Sequence, residues 1–139
     1  MKFRMLLSAL LLAAGLVFVA GCDKKAETKA EKKADTPTEV ENKYAAAFKS
    51  GDFATAASLC HGKQKEFVEA MGKGYANASE KEKQQFKEQM AGFSFSVKKE
   101  EIDGDYAKLT VDVNGKEDFE YLKKVGGEWK VINKEDYQK

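Results

Sequence analysis

The apolar residues of this chain change their spacing at Phe93, and this change constrains the fold more than any other feature. Upstream, apolar side chains recur every three or four residues, as in Val40, Tyr44 and Phe48, which is typical of helices with one buried face. From Phe93 onward apolar and polar residues alternate, as they do in half-buried β-strands. Helices followed by strands predict an α+β domain, with N-terminal helices packed on a four-stranded antiparallel sheet.

Capping residues and glycines predict where the first and fourth helices begin and end. Residues 36–39 supply a threonine N-cap, a proline at the first helical position and a glutamate that completes a capping box. Gly51 ends this helix. Ser79 and Glu82 form a second capping box, and the helix that follows ends at Gly92.

Two further helices are expected between these. Asp52 is a suitable N-cap for a short second helix. A third is expected over 63–71, where Phe67 and Met71 are the candidates for burial. Gly72 is then expected to end it.

The strands are predicted to form a meander with short turns. Turn residues occur at three places, and the clearest is Asn-Gly at 114–115, a strong two-residue hairpin signal. In the third strand Leu122 and Val125 are out of phase with Phe119 and Tyr121. A β-bulge in that strand would bring them into phase, so one is expected there.

The first 21 residues are typical of a bacterial signal peptide, because a basic start precedes an apolar run. The run ends in Val19, Ala20, Gly21 and Cys22, which resemble the lipobox of bacterial lipoproteins. This resemblance implies recognition of the three small residues by a signal peptidase, cleavage before Cys22, and attachment of acyl chains such as palmitate to Cys22. Two or three chains give a stable anchor to the membrane. Asp23 resembles an inner-membrane retention signal, so the periplasmic side of the inner membrane is slightly favoured over the outer membrane.

Three segments follow from these observations: a signal peptide (1–21), a lipidated cysteine with a charged flexible linker (22–35) and a single α+β domain (36–139). The linker has too few apolar residues to fold alone. The whole chain has a formal net charge of +1. Loss of Lys2 and Arg4 lowers the 24 basic residues to 22, against 23 acidic ones, and leaves no arginine. Nucleic acid is therefore not an expected partner.

Two segments of the chain resemble the nuclear transport factor 2-like (cystatin-like) superfamily. Residues 48–57 carry Gly-Asp at a helix start, and residues 104–131 end in Gly-Glu-Trp-Lys-Val. The resemblance covers about residues 38–133 and is to small bacterial lipoproteins with a domain of unknown function. It implies a bent antiparallel sheet that wraps on helices as an open cone. Such cones hold small ligands, bind partner proteins or carry dehydratase and isomerase sites, so the fold does not choose the function.

Aromatic residues are the candidates for a pocket in such a cone, with ordinary core packing as the alternative. They are Tyr44, Phe48, Tyr106, Phe119, Tyr121 and Trp129. We expect a non-catalytic binding module for a small apolar ligand or an envelope protein, and a small dehydratase or isomerase is the alternative. No catalytic residue, metal-ligand set or cofactor motif is predicted. Carboxylates that converge near a tyrosine or histidine in a deep pocket would favour the enzyme.

The adjacent Cys60 and His61 are not expected to form a catalytic pair, because neighbours on a helix point in different directions. Cys60 falls in register with apolar residues, which predicts a buried structural thiol. His61 is expected at a helix end where a cation is favoured. One histidine and two cysteines also exclude a four-ligand zinc site made of Cys and His.

Overall fold

Four helices precede four strands in the computed structural model, which confirms the predicted α+β arrangement and describes residues 33–137. The predicted signal peptide, the lipobox and most of the linker lie outside the described residues. The helices are α1 (Pro37–Ser50), α2 (Phe53–Ser58), α3 (Gly62–Asn77) and α4 (Glu80–Ala91). The strands are β1 (Phe95–Asp103), β2 (Tyr106–Val113), β3 (Lys116–Val125) and β4 (Glu128–Ile132), followed by a 3-10 turn (Lys134–Asp136). Between residues 33 and 137, no helix is long and apolar enough to cross a bilayer.

The predicted capping boxes of α1 and α4 are confirmed. At α1 the Thr36 hydroxyl accepts from the Glu39 N–H, and the Glu39 carboxylate accepts from the Thr36 N–H at 2.7 Å. Ser79 and Glu82 make the same reciprocal pair at α4. Gly51 ends α1 in the left-handed conformation, with φ +78°, which glycine adopts without steric cost.

Helix α3 is longer than predicted, because Gly72 lies inside it. A Cβ atom at Gly72 would lie 2.9 Å from the Cβ of Phe53, so the glycine allows α3 to approach α2 closely. The predicted burial of Phe67 is wrong, since this side chain is 57% exposed. The neighbouring Val68 is fully buried instead, because it lies on the face of α3 that packs on the domain.

The sheet has the order β1-β2-β3-β4 with antiparallel neighbours, which confirms the predicted meander. Residues directly opposite each other on antiparallel strands point to the same face. We call the face that packs on α1 the inner face; Ala107, Leu109 and Leu122 lie on it, fully buried. The other side is the outer face.

The bulge predicted in β3 is wrong, because β3 pairs with β2 in continuous register from Lys116 to Lys123. Phe119 and Tyr121 lie opposite Thr110 and Lys108, which places both aromatic rings on the outer face. Leu122 is out of phase with them because it alone of the three belongs to the core.

A bulge occurs in β1 instead, between Val97 and Lys99. The extra residue keeps both Val97 and Glu100 on the inner face, opposite Val111 and Leu109. The Glu100 carboxylate then accepts from the backbone N–H and the hydroxyl of Thr38, at 2.9 and 2.6 Å. An acidic group at this helix N-terminus also interacts favourably with the helix dipole and ties β1 to α1.

An aromatic cluster joins the helices to one another. Its ring centroids lie 5.2–6.5 Å apart, in tilted or edge-to-face arrangements that favour aromatic pairing. The members are Phe48, Phe53, Tyr75 and Phe86. Helix α1 therefore contributes one set of side chains to the sheet and another to the remaining helices.

The connection between α2 and α3 runs along β4 as a short parallel bridge. The His61 N–H donates to the Val131 carbonyl at 2.9 Å, and the Val131 N–H donates to the Leu59 carbonyl at 2.8 Å. Cys60 is buried, as predicted, and its thiol donates to the Ala56 carbonyl at 3.2 Å. The expectation for His61 is wrong in one respect: it is the N-cap of α3, where the helix dipole does not favour a cation.

Candidate functional site

Strand β4 is shorter than β3, and this difference leaves part of the inner face uncovered. β4 pairs with β3 only over residues 121–125, so 116–120 have β2 as their only strand neighbour in the described sheet. In this segment the inner-face residues are Lys116, Asp118 and Glu120, which lie opposite Val113, Val111 and Leu109. Carboxyl groups therefore occupy inner-face positions where β4 does not reach.

A cavity of about 250 Å³ lies between α1 and this part of the sheet. Its apolar lining consists of Ala45, Phe48, Phe93, Phe95 and Val113. Its polar lining consists of Glu41, Tyr44, Asp118 and Glu120. Apolar walls with a few convergent polar groups are typical of small-molecule sites, although this cavity is smaller than most. We call it the α1–β3 cavity.

Glu41 is the most unusual residue in the α1–β3 cavity. Its side chain is only 1% exposed, and its Oε2 atom has no hydrogen-bond partner among the described residues. Burial raises the pKa of Glu41 well above its ordinary value, and the charge of Glu120 raises it further. Burial therefore favours the protonated form of Glu41 more than it is favoured in an exposed glutamate, and that form has a proton that it can donate to a hydrogen bond.

Glu120 faces Glu41 from the sheet. Burial raises the pKa of Glu120 to about 7, with a further contribution from the Asp118 charge. The group is thus close to half ionised at neutral pH. In one site, a protonated carboxyl group can serve as a hydrogen-bond donor and an ionised one as an acceptor.

Tyr44, on α1, is a third polar group that lines the cavity, and its pKa is also raised. Its hydroxyl accepts from the Gln64 amide at 3.0 Å, which leaves the hydroxyl hydrogen available to another acceptor. Burial raises the pKa of Tyr44, the nearby Cys60, Glu41 and Glu120 add to this rise, and the Gln64 hydrogen bond opposes it. The phenol is therefore neutral at physiological pH.

Cys60 lies near these groups and is not reactive. Burial raises the pKa of the thiol to about 12, the charges of Glu41 and Glu120 raise it further, and Lys130 opposes the shift. Because the thiolate is the nucleophilic form, this thiol is not suited to nucleophilic catalysis. The prediction of a buried, structural cysteine is confirmed.

The six aromatic residues predicted for the pocket are not brought together. Tyr44 and Phe48 line the α1–β3 cavity. Trp129 is buried on the inner face near the start of α1, in a separate cavity that Val40 also lines. The Lys124 ammonium lies 5.0 Å from the centre of the Trp129 ring.

The other three lie on the outer face, and the prediction that they share the pocket is corrected accordingly. Tyr106 and Tyr121 pack against Tyr137, with ring centroids 5.6 and 4.7 Å apart. Phe119 is exposed, and the Lys108 ammonium lies 4.0 Å from its ring centre. The register of β3 with β2 decides this placement, because neighbours along a strand point to opposite faces.

The two glutamates of the cavity were missed as site residues by the sequence analysis. A signal for each was present. Glu41 lies three and seven residues before Tyr44 and Phe48, at helical spacing on the same face. Glu120 is in phase with Leu122, the one apolar residue of β3 that belongs to the core.

Two other concave regions are weaker candidates for a functional site. An open groove of about 670 Å³ between α2 and α3 is bordered by Lys65, Glu69 and Lys73, and none of its polar lining residues is buried. A cavity of about 160 Å³ beyond the end of β4 shares Asp118 and Glu120 with the α1–β3 cavity. Across residues 33–137, no group of three His, Cys, Asp or Glu residues is placed to hold a metal ion.

The four helices and the open four-stranded antiparallel sheet define an α+β domain with a lateral cavity. No family model and no curated protein matches the chain. Among solved structures, the chain is similar to a protein from Campylobacter jejuni provisionally described as an NTF2-like transpeptidase. The two are 18% identical, with a TM-score of 0.45, over 72% of this chain and 100% of the other.

Proposed function

We propose that the chain is a lipid-anchored binding module of the bacterial cell envelope and that it holds a small ligand in the α1–β3 cavity. The observation that supports this most is that Glu41 lines the cavity while its buried Oε2 atom has no hydrogen-bond partner among the described residues. An unpartnered buried polar atom costs about 1–3 kcal/mol. A ligand that donates a hydrogen bond to this oxygen would remove the cost.

A small ligand is favoured over a partner protein by the distribution of exposed apolar side chains. The exposed large hydrophobic residues of the described chain are Phe67, Ile102 and Phe119. They lie on α3, on the inner face of β1 and on the outer face of β3. Single exposed apolar residues are common on protein surfaces and do not by themselves indicate an interface.

The envelope location in this proposal rests on the sequence. The lipobox-like residues 19–22 would place an acylated Cys22 in the membrane, and the charged linker would hold the domain away from the lipid headgroups. Asp23 slightly favours the periplasmic side of the inner membrane. The outer membrane is the alternative.

The ligand test uses the full chain purified from its own membranes. Native mass spectrometry in detergent is expected to show a bound small molecule that is lost from the Glu41→Met variant. The Asn42→Met variant, which changes an exposed neighbour on α1, is expected to retain it. Wild-type protein that carries no small molecule would contradict the proposal.

The anchor has a separate test. Cys22→Ala is expected to abolish acyl labelling and to release the chain from membranes, because no other cysteine precedes the domain. Cys60→Ala is the matched control and is expected to leave labelling unchanged. Acyl labelling that persists in Cys22→Ala would disprove the lipid attachment.

A second candidate function is proton transfer on a carbonyl compound, as in a small isomerase or dehydratase. The specific observation is that Glu120, with its pKa near 7, shares a cavity with two groups that can donate a hydrogen bond, the Tyr44 hydroxyl and the Glu41 carboxyl in its protonated form. Glu120 would take a proton from the carbon next to the carbonyl, while the two donors would stabilise the enolate oxygen.

The second candidate is tested by deuterium exchange at the α-carbon of cyclohexanone, followed by NMR. Exchange catalysed by the wild-type chain and abolished in Glu120→Gln would favour the enzyme. Exchange at the rate of buffer alone would exclude this chemistry for that probe and leave the binding module as the proposal.

A further inference from the structure

We propose that the α1–β3 cavity selects a small organic cation, an amine that carries one apolar group, over neutral and anionic molecules of similar shape. This inference rests on the proposed ligand-binding function and specifies the class of ligand. It is carried by the charges, the unpartnered oxygen and the rings that line the cavity.

The charged groups of the cavity are all acidic. Glu41 on α1 faces Asp118 and Glu120 on β3, and none of the described lining residues is a lysine. Lys49, on the same helix as Glu41, places its ammonium on the Phe93 carbonyl at 2.9 Å. Lys116 lies on β3 before Asp118 but is exposed and does not line the cavity. The cavity therefore has an unbalanced negative potential whenever its carboxyl groups ionise.

The unpartnered Oε2 of Glu41 calls for a hydrogen-bond donor. An ammonium group has three N–H donors and no acceptor, so it could bond to Glu41 Oε2 and to the Glu120 carboxylate together. Hydrogen bonds between charged groups are stronger than neutral ones, particularly where water is excluded. A neutral alcohol could satisfy one of the two acceptors, and an anion would be repelled by the Glu120 carboxylate.

The remaining walls fit the apolar part of an amine. The cavity is lined by the rings of Tyr44, Phe48, Phe93 and Phe95, and the negative faces of such rings attract cations. Its volume of about 250 Å³ admits a ligand of about one ring. A bare metal ion is disfavoured, because in the described part of the chain no three ligating side chains are placed to coordinate one.

Binding of the cation is coupled to release of protons. In the empty protein, burial favours the protonated forms of Glu41 and Glu120, and Glu120, with a pKa of about 7, is partly protonated near neutral pH. When the ammonium binds, the Glu120 O–H bond breaks, the proton passes to the buffer, and the carboxylate accepts from the ammonium N–H. Asp118, Tyr44, Cys60 and Lys134 are the other titratable groups near the site. Lys134 lines the neighbouring cavity with Asp118 and Glu120, and the phenol and the thiol stay neutral.

The test is isothermal titration calorimetry of the full chain in detergent with benzylamine, benzyl alcohol and benzoate. These probes share a ring and differ in charge. We expect benzylamine to bind at least about tenfold more tightly than benzyl alcohol, as charge-assisted hydrogen bonds imply. Titrations at pH 6 in two buffers of different ionisation enthalpy are expected to show proton release with benzylamine alone.

Variants of β3 distinguish a change in the binding site from a loss of the fold. Glu120→Gln is expected to remove most of the preference for benzylamine, whereas Glu117→Gln, which alters an exposed carboxylate of the same strand, is expected to keep it. If Glu120→Gln does not fold, Asp118→Asn replaces it and is expected to weaken benzylamine binding by a smaller factor. Unchanged selectivity in a folded Glu120→Gln protein would overturn the proposed contact.

The outcomes of the probe series distinguish this inference from the proposed function. Equal binding of benzyl alcohol and benzylamine would overturn the cation preference and leave ligand binding intact. Tightest binding of benzoate would reverse the predicted charge. If none of the three probes binds, the amine inference is overturned, while the proposed function is still judged by the molecule found in the purified chain.

Discussion

The two ends of the sheet's inner face are built from the same strands but carry different side chains, apolar at one end and acidic at the other. At one end, which we call the closed end, Ala107, Leu122 and Val131 are fully buried against the helices. At the other, the open end, β3 places Glu120 and Asp118 on the same face, beside the α1–β3 cavity. Along β3, Leu122 at the closed end and Glu120 at the open end are two positions apart.

The length of β4 accounts for the difference. Strand β4 pairs with β3 at the closed end, and two backbone hydrogen bonds join the segment Leu59–His61 to β4 there. β4 stops at Ile132, so the open end has no strand neighbour on that side. Burial of Glu120 there is partial, which raises its pKa and still allows an acidic group at an inner-face position. In this domain the short edge strand β4 leaves part of the inner face available as a candidate site.

The largest expected effect is at the closed end. Leu122→Ala is expected to lower the free energy of unfolding by about 2–5 kcal/mol, because it leaves a cavity among fully buried neighbours. Val113→Ala, at the open end, removes a half-buried side chain that already borders a cavity, and about 1 kcal/mol or less is expected. Urea unfolding of the two variants and the wild-type chain measures both values, and equal losses would break the comparison.

Glu41 provides the second test, and its substitution is expected to raise the free energy of unfolding rather than lower it. Glu41→Met is expected to raise the free energy of unfolding by about 1–3 kcal/mol at pH 7, because it replaces an unpartnered buried carboxyl by an apolar side chain of similar length. Asn42→Met is the control on the exposed side of α1, with less than about 0.5 kcal/mol expected. A marked loss of stability in Glu41→Met would show that the carboxyl supports the fold, against its assignment to a ligand.

The smallest expected effect is the pH dependence that Glu120 confers. Burial raises the pKa of Glu120 from 4.5 to about 7, so the folded chain binds more protons than the unfolded chain between these values. This contribution to stability is fully present below about pH 4.5 and is lost as the pH rises through about 7. The slope is at most about 1.4 kcal/mol per pH unit for one proton.

Urea unfolding between pH 4.5 and 8 is expected to show this decline, and Glu120→Gln is expected to flatten it. Glu41 contributes in the same direction, because its pKa is also raised, so some decline persists in the variant. Glu117→Gln is expected to leave the profile unchanged. A wild-type profile that rises over this range would contradict the assignment of Glu120 to the open end.

Local signals in the sequence predicted the elements well and the faces of the sheet poorly. Capping residues act within one helical turn, so Thr36 and Ser79 could be identified from their neighbours alone. Gly72 was misjudged because its role is a close approach to Phe53, a contact between two helices. For β3, the aromatic residues suggested the buried set, whereas the register with β2 placed them outside.

The sequence by itself determined the order of the elements, their caps and turns, and the burial of Cys60, because these depend on residues close together in the chain. Only the tertiary structure decided which face of β3 meets α1 and how far β4 extends along it. Those two features bring Glu41 and Glu120 into one cavity, although they are far apart in the chain. Burial raises both pKa values, the charge of Glu120 adds to the shift of Glu41, and the charge of Asp118 adds to the shift of Glu120. These shifts are properties of packing in three dimensions.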